Sequence, residues 1–385
     1  MRRVFSLLIL ALVVLSAPLA ASWDEGVKAF TSRNFQAAYQ HFQDVVQQTP
    51  DGFRGHYMLG LTAQQLKRNE DALDHLRKAY DLNPSDVNIQ MALGRAYTSV
   101  RRYGDAANLL AKVEIGQVPD KAKVTFYQMR AQSYLKTNNT ARALADLKTL
   151  TQLRPSDATL QYNYGTTALA QGQTDTAIAA LSKAAKLDAS DANKHKAYAN
   201  ALIKKGRMTK DKAAKKDVYI RAAQAAAQLA KIDSSAANLT LQASAELGAG
   251  LFPKAIETAK QAVGKDGNSW LAQFYLGQAY GSAKQYDAAV DPLNKALAIA
   301  SGNDKNMVHN QLGFVYEKQK AYDKAIAAYQ AAGANGSVAR VEKNRETEQY
   351  NTEVEKENER IEAMRAEAER LEKELEALEQ GGGGF

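Results

Sequence analysis

The chain of 385 residues contains no cysteine, and this absence removes several kinds of chemistry at once. Disulfides, a thiolate nucleophile, cysteine-ligated zinc or iron–sulfur centres and a lipid-modified N-terminal cysteine are all excluded. Histidine is scarce as well: the sequence has five, and no two have the i, i+4 spacing of a metal-binding pair on one helix. Because glycine-rich phosphate loops and nucleophile motifs are also missing, the sequence predicts a protein that is not an enzyme and holds no metal or cofactor.

Long apolar stretches are missing too, except for a short one at the N-terminus. Arg2 and Arg3 precede the apolar residues 4–15, and small residues follow at 17–22. A basic, then apolar, then small-residue order is typical of a secretory signal peptide, and the apolar part is too short to span a bilayer comfortably. We therefore expect residues 1–21 to be cleaved, with an uncleaved anchor as the alternative, and the mature protein to be exported to the periplasm or the extracellular space.

Proline and glycine are few, with 7 and 24 residues, and several of them belong to a unit that recurs every 34 residues. In each unit a small residue is followed three positions later by a large one, and an alanine further on is followed by apolar residues four and seven positions later. The small residue lets two helices approach closely, and the second pattern gives a helix one apolar face. Pairs of packed helices are therefore predicted. The alanines that mark the register are Ala72, Ala106, Ala143, Ala177, Ala255 and Ala289.

This pattern resembles the tetratricopeptide repeat (TPR) family over residues 23–333. The resemblance implies an all-α fold, an α-solenoid of about nine helix hairpins in which each hairpin buries its apolar face against its neighbours. It also implies a non-enzymatic scaffold that binds protein or peptide partners in a concave groove. The predicted organisation is a signal peptide over 1–21, an N-terminal array over 22–191, a C-terminal array over 192–337, an acidic heptad helix over 338–380 and a glycine-rich tail over 381–385.

The resemblance further implies which residues line the groove, because the family uses fixed positions on the first helix of each hairpin. Aromatic and amide side chains at such positions suit an extended peptide, although the aromatic ones can instead pack between adjacent hairpins. Lys196 and Asn200 resemble the first pair of a clamp for chaperone C-termini, but Leu241 stands where the second asparagine belongs, so the clamp is incomplete. The groove positions are Arg54, Tyr57, Arg95, Gln128, Gln132, Tyr162, Lys196, Asn200, Phe274, Gln278 and Phe314.

The formal net charge of +8 is concentrated around an insertion in the sixth hairpin. Residues 193–231 hold 11 basic and 2 acidic side chains, and about eleven residues near 204–216 exceed the usual length of a unit. We expect the insertion to lengthen one or both helices. Its basic side chains are either a binding patch for an anionic lipid or envelope polymer or a solvated surface, and the lack of interleaved aromatic residues argues against nucleic acid. We call this set the basic patch: Lys204, Lys205, Arg207, Lys210, Lys212, Lys215 and Lys216.

Glutamate predominates beyond residue 338, and apolar residues recur there with a heptad period between 350 and 378. Such a period is typical of a coiled coil, although Glu357 occupies one core position. Four interpretations stay open for this segment, and one of them is that it is disordered. Residues 350–378 self-associate as a coiled coil, the helix is solvated and only its beginning packs on the last hairpin, or the acidic helix docks on the basic patch.

Overall fold

The structure, a computed structural model, describes residues 22–381. The predicted signal peptide, 1–21, and the last four residues, 382–385, lie outside the described residues. Between residues 22 and 381 the regular elements are all helical, without a strand, and they form nine consecutive hairpins followed by one long helix. The all-α prediction, with about nine hairpins and a long C-terminal helix, is therefore confirmed. Within the same range no helix combines the length and the apolarity needed to cross a membrane.

The chain divides into two units, residues 1–197 and 198–385. The first unit contains five hairpins and the beginning of a sixth. Its helices are α1 (22–31), α2 (Phe35–Gln48), α3 (Phe53–Gln65), α4 (Asn69–Leu82), α5 (Val87–Ser99), α6 (Tyr103–Leu110), α7 (Asp120–Lys136), α8 (Thr140–Leu153), α9 (Ala158–Ala170), α10 (Thr174–Leu187) and α11 (Ala192–Met208), which continues into the second unit.

The second unit continues the hairpins and ends in the long helix. Its further helices are α12 (Lys212–Ile232), α13 (Ala236–Gly248), α14 (Phe252–Lys265), α15 (Trp270–Ser282), α16 (Tyr286–Ile299), α17 (Asn303–Lys318), α18 (Tyr322–Ala331) and α19 (Asn335–Gly381).

Aspartate residues determine where α5 and α9 begin. The carboxylate of Asp86 accepts a hydrogen bond from the backbone N–H of Asn88 at 2.8 Å, and that of Asp157 accepts from the backbone N–H groups of Thr159 and Leu160, both at 3.0 Å. These donors have no partner within their own helix, so the side-chain oxygens stabilise the first turn.

Glycine on the first helix of a hairpin leaves space for a leucine side chain of the second helix. A Cβ atom added at Gly60 would lie 2.6 Å from Cγ of Leu76, and one added at Gly165 would lie 2.6 Å from Cγ of Leu181. Real carbon atoms do not approach so closely, so any side chain at these positions would push the two helices apart. The small residue of the repeat therefore sets the spacing of α3 from α4 and of α9 from α10.

The sixth hairpin, α11 and α12, is longer than the others. A regular hairpin has 13 residues in its first helix and 14 in its second, as in α9 and α10. Helix α11 has 17 residues and α12 has 21. The extra residues thus lengthen both helices, by about one turn and about two turns.

The long helix α19 has an attached beginning and an exposed remainder. Val341 is fully buried against Ala325 and Tyr329 of α18, and Arg340 pairs with Glu317 of α17 at 2.8 Å. From residue 349 to residue 378 every side chain is exposed. Only the first third of this 47-residue helix therefore packs on the last hairpin.

Candidate partner-binding surfaces

In the first unit, the polar residues predicted to line the groove are exposed on successive first helices. Arg54 lies on α3, Arg95 on α5, and Gln128 and Gln132 lie on α7. Because Gln128 and Gln132 are four residues apart, they share one face of α7. These side chains are all accessible to a partner.

Tyr57 contributes an aromatic surface between α3 and α5. Its side chain is half-buried and packs on a cluster that contains Leu73 and Leu93. Burial raises the pKa of the Tyr57 phenol, the negative charge of Asp86 raises it further, and the positive charge of Arg95 offsets part of the rise. Tyr57 and the exposed Arg95 thus place an aromatic ring and a cation on the neighbouring first helices α3 and α5.

The remaining groove positions near the division of the chain differ in exposure. Tyr162 is half-buried on α9, where its carbonyl oxygen accepts a hydrogen bond from the Thr166 hydroxyl at 3.0 Å. Lys196 is exposed near the end of the first unit, and Asn200 is exposed on the part of α11 that belongs to the second.

A cavity of about 280 Å³ lies in the second unit and is lined mainly by three successive first helices. It brings Arg207, a member of the basic patch on α11, together with Gln278, a predicted groove residue on α15. We call this cavity the groove pocket; its residues are Ile203, Arg207, Tyr219, Ser244, Leu247, Gly248, Tyr275, Gln278 and Ser282.

Tyr219 of α12 forms a wall of the groove pocket and is only 7% exposed. Its ring fills the space beside two glycines: a Cβ atom added at Gly206 would lie 2.6 Å from ring atom Cε2, and one added at Gly248 would overlap the same ring. Burial raises the pKa of the Tyr219 phenol, and the positive charge of Arg207 offsets part of that rise. The phenol therefore keeps its proton at neutral pH.

The polar groups of the groove pocket are one cation and several side chains that both donate and accept hydrogen bonds. The Ser244 hydroxyl donates to the carbonyl oxygen of Leu241 at 2.8 Å, so its proton is engaged within α13. Arg207 is a permanent cation with five N–H donors, and Tyr275 and Gln278 each add a donor that can also accept. The pocket therefore suits a carboxylate, an amide or a backbone carbonyl.

The aromatic groove positions of the second unit pack into a hydrophobic cluster. Phe274 is 5% exposed and belongs to a core cluster with Leu293 and Val308. Phe314 is half-buried against the same cluster, and the Lys318 ammonium lies 5.8 Å from its ring centroid. The groove prediction for Phe274 is thus corrected: the residue faces the α16 and α17 side of α15 and fills the core.

Comparison with sequence families identifies the repeat. The tetratricopeptide repeat model matches residues 24–87, 57–122, 129–193 and 240–304, and a second model of the same repeat matches residues 308–332. The chain belongs to the tetratricopeptide repeat family. TPR proteins generally mediate protein–protein interactions, and the fold is typically a non-enzymatic scaffold.

Solved structures resemble this TPR chain at low sequence identity. A chain of the APC/C hetero-tetramer Cut9–Hcn1 is 12% identical with a TM-score of 0.41, covering 84% of this chain and 89% of that one. The C-terminal part of a TPR repeat-containing protein from Cytophaga hutchinsonii is 14% identical with a TM-score of 0.46, covering 63% of this chain and 93% of that one. A comparison with curated proteins gives no match.

The basic patch of the TPR array extends over the end of α11, the loop that follows and the first turns of α12. Arg207 lines the groove pocket, and Lys205 is half-buried on α11 while Lys204 is exposed. The other members are exposed in the loop before α12 and in the first turns of that helix: Lys210, Lys212, Lys215 and Lys216.

Sequence reasoning missed several residues of the groove pocket. Tyr275, Gln278 and Ser282 follow one another at three- and four-residue intervals and so share a face of α15. Because Gln278 was already predicted to line the groove, this spacing could have identified Tyr275 and Ser282 as well. Tyr219 carries no such signal, because it reaches the pocket from a second helix through the space that Gly206 and Gly248 leave. Among residues 22–381, no group of three potential metal-ligating side chains occurs.

Proposed function

We propose that this chain is an exported, non-enzymatic scaffold that binds a protein or peptide partner along the first helices of its TPR hairpins. The observation that carries the proposal is the groove pocket, where Arg207 of α11 and Tyr275 and Gln278 of α15 line one cavity. In the first unit, the exposed Gln128 and Gln132, together with Tyr57 and Arg95, offer further contacts of the same kind.

The groove pocket fits one side chain of an extended peptide. Its volume of about 280 Å³ is smaller than that of most sites for drug-sized ligands. Charge-assisted hydrogen bonds from Arg207 are strongest to a carboxylate, and Gln278 can pair with a peptide group. We therefore expect a partner segment that places an acidic or amide side chain in the pocket.

Photo-cross-linking in the native compartment tests this proposal. A benzoylphenylalanine residue at position 278 of the full chain is expected to capture a discrete partner, whereas one at Lys295, which is exposed on α16, is not. Adding Arg207→Gln to the position-278 protein should reduce the yield at least fivefold. Adding Lys215→Gln and Lys216→Gln should leave it unchanged. No capture at position 278, or equal capture at both positions, would contradict the proposal.

Export is part of the same proposal and rests on the order of basic, apolar and small residues over 1–22. The test is the N-terminal sequence of the protein recovered from the cells or their envelope. A mature N-terminus at Ala21 or Ser22 supports export through a cleaved signal peptide. A chain that retains Met1 and stays inside the cell contradicts it.

A second candidate function is binding of an anionic lipid or envelope polymer by the basic patch. Lys212, Lys215 and Lys216 are exposed in the first turns of α12, where the positive end of the helix dipole adds to their own repulsion. A polyanion would relieve that repulsion. Flotation with phosphatidylglycerol vesicles tests this function: replacement of these lysines and Lys210 by glutamine should abolish binding, whereas Gln278→Ala should retain it. If the unaltered chain does not bind such vesicles in the first place, this candidate is wrong for lipid.

A further inference from the structure

The second unit contains another cavity, of about 460 Å³, that is separate from the groove pocket. It lies between α12 and α14, with Gln242 and Glu246 of α13 beneath it. Ser244 and Gly248 of α13 line the groove pocket. Because residues two apart on a helix are separated by about 200°, the two cavities lie on opposite sides of α13.

Glu246 is the unusual residue of this second cavity. Its side chain is 5% exposed. One carboxyl oxygen, Oε1, accepts a hydrogen bond from the Gln242 amide at 2.8 Å, but the other, Oε2, is buried without a partner. Buried polar groups in proteins are nearly always hydrogen-bonded, and leaving one unsatisfied is destabilising. A hydrogen-bond donor that an occupant of the cavity brings to the carboxyl group of Glu246 would satisfy it.

The other residues that line the cavity indicate which kind of side chain fits it. Ile220, Ala223, Ala227 and Leu251 form an apolar wall, while Gln224 and Gln261 place carboxamides near the carboxyl groups of Glu246 and Glu257. A long side chain with an apolar stem and a cationic end matches this division, since lysine and arginine lay their methylene groups on apolar surface and keep the charged end among polar groups.

We propose that this cavity binds a lysine or arginine side chain of a protein partner, with its N–H donors directed to the carboxyl group of Glu246. We call it the cation pocket. The lining holds one cation of its own, Lys254, which is exposed and forms no ion pair within the described residues. The cation pocket is separate from the groove pocket. An experiment can therefore disprove binding at one of these sites without disproving binding at the other.

Methyl NMR of the full chain tests the proposal with small probes. N-acetyl-arginine amide and N-acetyl-lysine amide are titrated against protein labelled at isoleucine and leucine methyl groups. We expect saturable shifts at Ile220 and Leu251. N-acetyl-citrulline amide has nearly the shape of the arginine probe but no charge, and it should bind at least tenfold more weakly.

Three variants identify the group that is responsible. Glu246→Gln keeps the size of the side chain and should weaken binding at least tenfold, while the methyl signals of distant leucines stay in place. Lys295→Gln, on the exposed surface of α16, should leave the affinity for these probes unchanged. Lys254→Gln should keep the affinity or raise it, because a competing cation is removed.

Three results would overturn the proposal. Citrulline could bind as well as arginine, Glu246→Gln could leave the affinity unchanged, or saturable binding could occur in Lys254→Gln but not in the unaltered chain. The last result would mean that Lys254 itself occupies the pocket.

Discussion

At the scale of single residues, glycine has opposite roles in the neighbouring helices α14 and α15. A Cβ atom added at Gly277 would lie 2.5 Å from Cγ of Leu293, whereas one added at Gly264 would meet nothing within 4 Å. We predict that Gly277→Ala lowers the free energy of unfolding by about 1–3 kcal/mol through overpacking. Gly264→Ala should raise it by about 0.5–1 kcal/mol, because alanine loses less entropy in a helix. Urea denaturation measures both, and equal effects would contradict the role of Gly277 as a spacer.

His56 and His75 form a pair that makes stability depend on pH. Their Nδ1 atoms are 3.1 Å apart, and Nε2 of His56 lies 2.9 Å from the carbonyl oxygen of Pro50. That oxygen only accepts, so His56 carries its proton on Nε2 and His75 donates from Nδ1. Burial and the nearby His56 lower the pKa of His75, although Asp71 and Asp74 offset part of the change.

We therefore predict that stability falls as the pH drops from about 6.5, the ordinary pKa of histidine. Below this pH His75 takes up a proton in the unfolded chain but stays neutral in the folded chain. The free energy of unfolding therefore decreases until the pH reaches the pKa of His75 in the folded chain. His75→Asn keeps a donor toward His56 and should make the unfolding midpoint less sensitive between pH 7 and pH 5. His309→Asn serves as the control and should leave that sensitivity unchanged. NMR titration that places the pKa of His75 at or above 6.5 would refute the prediction.

At the scale of elements, an ion pair fastens α7 to α8. The guanidinium of Arg130 donates to both carboxylate oxygens of Asp146, at 2.7 and 2.9 Å, and Asp146 is 3% exposed. We predict that Asp146→Leu costs about 3–5 kcal/mol, because it leaves a half-buried cation without its partner. Adding Arg130→Met should restore most of that loss.

The matched control is the ion pair of Arg102 and Asp105, which has the same 2.7 Å separation but is nearly half exposed on both sides. Asp105→Leu should cost much less than Asp146→Leu, because solvent screens the exposed pair. Free energies of unfolding from urea titrations give all of these values. If Asp146→Leu were no more harmful than Asp105→Leu, burial would not be the cause of the difference.

The helices and their N-terminal caps could be predicted from local sequence patterns, whereas the packing of Phe274 and the groove pocket could not. The 34-residue spacing of Ala72 and Ala106 and the position of Asp86 before α5 indicate hairpins and their starts, because both depend on neighbours in the chain. Phe274 could not be assigned from its position, since α15 carries apolar residues on several faces. The groove pocket depends on Tyr219 entering from another helix, a contact between segments that no local period encodes.

At the scale of the whole molecule, α19 acts both as a cap and as an extension. Val341 is fully buried on the last hairpin, and burial with the charge of Glu317 raises the pKa of Tyr329 to about 12. Truncation after residue 334 should therefore destabilise the last hairpin by about 2 kcal/mol or more, because it exposes apolar surface. Truncation after residue 348 should leave the melting temperature unchanged. Equal melting curves for both truncations would show that α19 caps nothing.

The exposed part of α19 should join two copies of the chain. Its apolar side chains keep a heptad register and are left in solvent by the single chain, with Met364 56%, Leu371 58% and Leu375 59% exposed. A second helix of the same kind would cover them. We predict a concentration-dependent dimer in sedimentation equilibrium. Leu371→Glu should raise its dissociation constant about tenfold or more. Glu357→Leu should lower the dissociation constant, because leucine fills the interrupted core position. The control Glu369→Gln lies on the outer face of the helix, away from the core and its flanking positions, and should have no effect. If the unaltered chain and Leu371→Glu are monomeric at the same high concentrations, the segment is a solvated helix and its heptads have no partner in a second copy.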